Sequence, residues 1–138
     1  MNQCKYDEEI EQLKEQVLSL EKENEELKQQ KERLQVTFES ALDAIIMFDE
    51  DANFIEVNEA ACLLFELPKE ELLKRNFRSF LELVPEEIIE TQISLLNYYG
   101  SLSEELLIKL DNGKIKHIEF SAKKNALNRF DLSIMRDI

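Results

Sequence analysis

Two short apolar runs, split by five mostly polar residues and followed at once by a helical pattern, leave residues 44–65 (AIIMFDEDANFIEVNEAACLLF) few ways to fold. Ala44 to Phe48 and Phe54 to Val57 are rich in Ile, Phe and Val, and Asp49-Glu50-Asp51-Ala52-Asn53 between them has turn composition, although it lacks glycine. This order predicts an antiparallel hairpin. Asn58 then stands where a helix N-cap is wanted, its side chain able to accept from an orphan N–H, and Glu59 places negative charge in the first turn. The helix is expected to run to about Phe65.

Upstream, apolar residues recur at alternating steps of three and four, the seam of a coiled coil rather than the wider stripe of a globular helix. Ile10, Val17, Asn24, Lys31 and Phe38 fall at a; Leu13, Leu20, Leu27 and Leu34 fall at d. Leucine at d with β-branched residues at the first two a positions favours two parallel strands, and a buried Asn24 pairs with its symmetry mate only when those strands are in register. The flanking charges agree, because Glu9 would face Lys14 and Glu23 would face Lys28 of the partner. A solvated single helix is the alternative, at the expense of an exposed apolar stripe. The expected division is therefore 1–38 as a coiled-coil dimerisation helix and 39–138 as a globular domain. No loop composition separates them, since ERLQVTFESALDAII keeps its helical rhythm into the first strand.

Further on, Pro68-Lys69-Glu70-Glu71 opens a short helix packed through Leu72 and Leu73, with Pro in the first turn and acids at the positive end of the dipole. Pro85-Glu86-Glu87 opens the longest helix of the domain, with Ile88, Ile89, Ile93, Leu96 and Tyr99 on one face until Gly100 stops it. Leu106 to Leu110 and Lys114 to Phe120 flank Asn112-Gly113, the signature of a two-residue type I′ turn. Phe130, Leu132 and Ile134 alternate with Asp131 and Ser133 as a final strand. Ile118, Phe120 and Ala122 are expected on one face, with His117 and Glu119 on the other.

D-E-D-A-N-F-I-E-V-N-E-A-A, P-K-E-E-L-L, D-N-G-K and the terminal M-R-D-I, in this order and spacing, resemble the sensory PAS family over about residues 35 to 138. The resemblance implies an α+β fold, a five-stranded antiparallel sheet with helices on one face, used to sense ligands or relay signals. Ala52-Asn53 departs from the family by replacing the usual glycine after the second acid. Phe77 stands where the flavin-binding, light-sensing branch carries its photoreactive Cys, and the longest helix lacks the axial His of haem-binding relatives. No flavin or haem is expected, and Phe77 and Phe80 read as core aromatics.

Charge and composition narrow the function. Thirty Asp and Glu against 17 Lys and Arg give −13, a sign that repels phosphate backbones and anionic lipid, so neither nucleic acid nor membrane is an expected partner. No run reaches transmembrane length and MNQCKYDEEIEQ lacks the pattern of a signal peptide, which points to the cytoplasm. Cys4 and Cys62 fit no metal spacing, and two glycines leave no phosphate loop. Adjacent acids such as Glu70-Glu71 diverge on a helix, so no catalytic constellation, cofactor or metal site is expected. A small apolar ligand, if bound, would sit between the longest helix and the sheet, among Ile93, Leu96, Ile108, Phe120 and Ile134. The expected function is a homodimeric signal-relay module, leading through Met135-Arg136-Asp137-Ile138 to an effector such as a histidine kinase. A ligand-free interaction module that sets oligomeric state and partner choice is the alternative.

Overall fold

A computed structural model describes residues 2–127 and 129–138, with side chains of residues 2–4 and 127 set aside; Cys4 thus lies outside the described side chains. The chain divides into two compact units, Met1–Thr37 and Phe38–Ile138. The first is helical, within α1 (Asn2–Ser40). Its seam residues lie open in the single chain, from 49% exposure at Ile10 to 71% at Leu34, and no helix among the described residues is long and apolar enough to cross a membrane.

In the second unit the elements run β1 (Ala44–Phe48), β2 (Phe54–Val57), α2 (Glu59–Phe65), α3 (Lys69–Leu72), a 3₁₀ turn (Phe77–Phe80), α4 (Glu86–Tyr99), β3 (Ser101–Lys109), β4 (Ile115–Leu127) and β5 (Phe130–Asp137). The strands form one antiparallel sheet in the order β2-β1-β5-β4-β3, which makes the last strand the central one. Its inner face joins α2 and α3 around a core that includes Ile46, Phe65, Leu72, Phe80, Ile108 and Ile118, each fully buried. Phe54 meets Phe65 and Phe80 edge-on, and Phe65 packs on Phe80 at 4.8 Å between centroids.

The β1–β2 hairpin forms as expected, and its turn works without glycine because Asp49 replaces lost backbone freedom with hydrogen bonds. Asp49 Oδ1 accepts from the Asp51 and Asn53 amides, both at 2.9 Å, and Oδ2 accepts from Asn53 Nδ2. Ala52 meanwhile takes φ +66, the left-handed conformation that favours glycine. Those donors, the Asn53 side chain first, hold the Asp49 carboxyl below its usual range. The turn docks on residues 75–77: the Phe77 amide donates to Ala52 O at 2.9 Å, and Asn76 Nδ2 donates to Asp51 O and Asn53 Oδ1.

Asn58 caps α2 as expected by accepting from the Ala61 amide at 3.0 Å, and it does more. Its Oδ1 also accepts from the Ile45 amide, while Nδ2 donates to the carbonyls of Phe38 and Asp43. A residue only 1% exposed thus satisfies its amide completely. At the other end of α2, Lys116 Nζ caps the Leu64 carbonyl at 2.7 Å, and Glu66, in the left-handed region, pairs with Lys114 at 2.9 Å.

Three expectations are corrected. Asn112-Gly113 is not a type I′ turn: Gly113 donates to the Leu110 carbonyl and alone has positive φ there, at +87, while Leu110 and Lys114 close a three-residue loop. Strands β3 and β4 are longer than their apolar runs, because an edge strand such as Ser101–Lys109 keeps polar residues on its solvent side and satisfies its ladder on the other. On α4, Ile88 and Tyr99 face outward at 48% and 69% exposure, and the inward stripe is Ile89, Gln92, Ile93 and Leu96. Gly100 does stop that helix, at φ +77.

Candidate functional site

Between α4 and the inner face of β3, β4 and β5 lies a cleft of about 440 Å³. This is at the small end of ligand-binding clefts, which run from about 300 to 1,000 Å³. Leu102, Leu106, Phe120, Ala122 and Met135 form its floor, and Ile89, Gln92, Ile93 and Leu96 its roof. Phe48, Phe77 and Leu81 close one side. The Phe48 and Phe77 rings touch at 5.4 Å, so this wall is continuous with the aromatic core. Ile89 is the buried residue of α4, so the helix spans the cleft more than it fills it.

The mouth is polar. Asp49, Glu50, Asp51 and Asp131 meet Arg78, Asn97 and Lys124 there, an excess of negative charge. Outside the lining, Arg75 makes a bidentate pair with Asp111, with Nη2 2.8 Å from Oδ1, and lies 4.9 Å over the Phe80 ring. This pair holds Asp111 below and Arg75 above their ordinary ranges, chiefly through the hydrogen bond between them. It fastens the β3–β4 loop to the end of α3.

Of the five residues expected to form a pocket, Ile93, Leu96 and Phe120 line the cleft together. Ile108 is buried in the core but is not in the lining, and Ile134 is 42% exposed on the opposite face of the sheet. Ile134 pairs with Ile45 and lies on the outer face, while Asp131, Leu132, Ser133 and Met135 line the cleft. Alternation in a central strand marks two faces without saying which is inner. The polar residues that β4 and β5 give the lining, Lys124, Asp131 and Ser133, escaped sequence reasoning for the same reason.

His117 lies on the outer face, with Nε2 3.1 Å from Glu105 Oε2. Burial pushes the Cys62 thiol up, away from the thiolate a nucleophile needs. Among the described residues no group of three or more His, Cys, Asp or Glu could hold a metal. Of the expected dimerisation residues, Ile10, Leu13, Val17, Leu20, Asn24, Leu27 and Leu34 are exposed on α1, whereas Phe38 is half-buried, groups with the second unit and gives its carbonyl to Asn58.

A family model described as the PAS domain matches residues 32–96, the stretch that holds the Asp49 turn, the Asn58 cap and the roof of the cleft. The chain contains a PAS domain. Sporulation kinase E of Bacillus subtilis (strain 168) is 37% identical over 107 residues, which cover 78% of this chain and 14% of that protein. The chain therefore spans about a seventh of that relative's length. Among solved structures, the PAS domain of an HTR-like protein from Haloarcula marismortui matches with a TM-score of 0.73 and 26% identity, over 86% of this chain and 99% of the other. A PAS domain from a two-component sensor histidine kinase shares the fold at a TM-score of 0.68 and 17% identity, over 80% and 98%. The sheet and its helices lie within the unit Phe38–Ile138, and the cleft lies on the helix-covered face of that sheet.

Proposed function

We propose that this chain is a cytoplasmic sensory and signal-relay module of a sensor histidine kinase, dimeric through a parallel coiled coil of residues 10 to 38. The cleft is its input. The observation that carries this reading is a 440 Å³ space left under α4, in a PAS domain related to one in a sporulation kinase. A domain that served only as an interaction module would gain stability by filling that space, since an unfilled apolar site forfeits contacts. The exposed seam of α1 supports the dimer, because leucines at 58–71% exposure in a single chain are a stripe that association would cover.

Two measurements test the reading. A chimera in which this chain replaces the similar segment of Sporulation kinase E should change its autophosphorylation when Ala122→Trp fills the cleft. Equal autophosphorylation with the cleft open or filled would favour the interaction module instead. For the coil, a Cys at Leu20 on a Cys4→Ser, Cys62→Ser background should crosslink two chains efficiently. Crosslinks between positions 13 and 34, with none between like positions, would mean antiparallel strands and overturn the dimer proposed here.

A further inference from the structure

Resting on the reading of the cleft as an input site, the geometry points to its ligand class: we infer that the cleft takes a free α-amino acid with an apolar side chain. The inference starts from two opposite charges at its mouth that do not pair with each other. Lys124, at the start of the irregularity that follows the Lys123–Leu132 pair, and Asp131 are both half-buried and both line the cleft. No ion pair joins them among the described residues. Asp131 spends Oδ1 on the Asn125 amide at 2.9 Å, and Lys124 Nζ turns to Asn97 Oδ1 on α4.

Each half-buried charge is thus held by a neutral partner and keeps hydrogen-bonding capacity for an opposite charge. A zwitterion supplies both partners at once. Its ammonium would donate to Asp131 Oδ2 and to the hydroxyl oxygen of Ser133, which is buried and donates its own proton to the Ser121 carbonyl. Its carboxylate would accept from Lys124 Nζ and from the Asn97 amide, whose oxygen Lys124 already occupies. Lys124, Asp131 and Ser133 all line this one cleft, so a single ligand bearing both charges can meet the two poles there. Beyond them the floor of Leu102, Leu106, Phe120 and Met135 accepts only an apolar side chain. A plain anion would meet Asp49, Glu50, Asp51 and Asp131 at the entrance, and a plain amine would set its charge beside Lys124.

Isothermal titration calorimetry on the whole chain tests this with L-leucine and L-phenylalanine. The controls are 4-methylpentanoate, which lacks the ammonium, and 3-methylbutylamine, which lacks the carboxylate. One or both amino acids should bind at least tenfold tighter than either control. Asp131→Asn, which keeps the acceptor for Asn125, and Lys124→Met should each weaken binding at least tenfold, whereas Glu70→Gln, on the exposed side of α3 and outside the lining, should leave it unchanged. A control compound that binds as tightly as L-leucine would overturn the amino-acid class while leaving the cleft an input site. Binding that both variants leave intact would overturn it equally. If no compound binds, the inference fails, and the Ala122→Trp chimera then decides separately whether the cleft is an input site.

Discussion

Asn58→Ala is the sharpest test of how this domain is held together, because one buried side chain makes four hydrogen bonds of 3.0 Å to three separate segments. Loss of the cap on Ala61 alone costs about 1 kcal/mol. The Ile45 amide and the Phe38 and Asp43 carbonyls lose a partner as well, and a buried polar group left unsatisfied costs about 1–3 kcal/mol. Water reaches the half-exposed neighbourhood of residues 38–43 and recovers part of this, so the low end applies and the sum is about 3–4 kcal/mol. Against a domain stability of about 5–15 kcal/mol this is a large fraction, equivalent to a fall in melting temperature of roughly 12 °C or more. Asn58→Ser should recover about 1 kcal/mol by restoring the cap. Asn58→Asp keeps the acceptor but sets an anion against two carbonyls, which raises its folded pKa above the unfolded carboxylate value. Its deficit should therefore grow as pH rises through that folded pKa and shrink toward acid pH. Urea unfolding gives the energies and amide exchange at Ile45 and Ala61 gives the location. A loss below about 1 kcal/mol for Asn58→Ala, or unchanged protection at those two amides, would refute the reasoning.

Gly113→Val should lose roughly 1–2 kcal/mol in a thermal melt purely through its φ of +87, since a Cβ there would meet nothing within 4 Å. Gly113→Asn should lose less, and an unchanged melting temperature for the valine variant would contradict the loop geometry. Ala52→Gly should raise stability by about 0.5 kcal/mol, the left-handed strain at φ +66 outweighing the extra entropy of glycine; a lower melting temperature would count against it. Asp49, Glu66 and Asp111 all have depressed folded pKa values, through Asn53, Lys114 and Arg75 respectively. Their contribution is complete above the unfolded value of about 4 and is lost as pH falls through the folded values, so an acid titration of unfolding should steepen below about pH 4. In Asp49→Asn and Asp111→Asn the same limb should be shallower.

What was legible in the sequence is what local rules decide. The β1 and β2 bounds, the Asn58 cap and the Gly100 stop each depend on residues within a few positions of each other, and all stand in the structure. What escaped depends on partners remote in sequence. Ser133 faces inward because it pairs with Ile46, 87 positions earlier, and nothing in Phe130-Asp131-Leu132-Ser133-Ile134 states this. The irregularity between Lys123 and Leu127, with Asn125 at φ +53, lies beside Lys124 at the mouth of the cleft, and a bulge is not written in alternation. On α4 the apolar residues outnumber those the sheet can receive, so periodicity alone could not separate Ile88 and Tyr99 from the inward stripe.

The same strand pairing sets what a ligand in the cleft could act on. Strand β1 has the Asn58 clamp at one end, through Ile45, and the Asp49 turn of the cleft mouth at the other. All five of its residues pair with β5, from Ala44 opposite Met135 to Phe48 opposite Asp131. A five-residue strand spans only about 17 Å, and one laddered along its whole length shifts as a unit rather than bending locally. Asp131, the residue assigned to the ligand ammonium, is thus paired with the last residue of β1. The Asn58 amide at the far end holds the Phe38 carbonyl, where the second unit begins. The mouth and Phe38 are therefore joined through one fully paired strand and one side chain; on the proposed input role of the cleft, Asn58→Ala should abolish the effect of Ala122→Trp on autophosphorylation of the chimera under conditions where the folded domain persists, and an undiminished effect would refute this link.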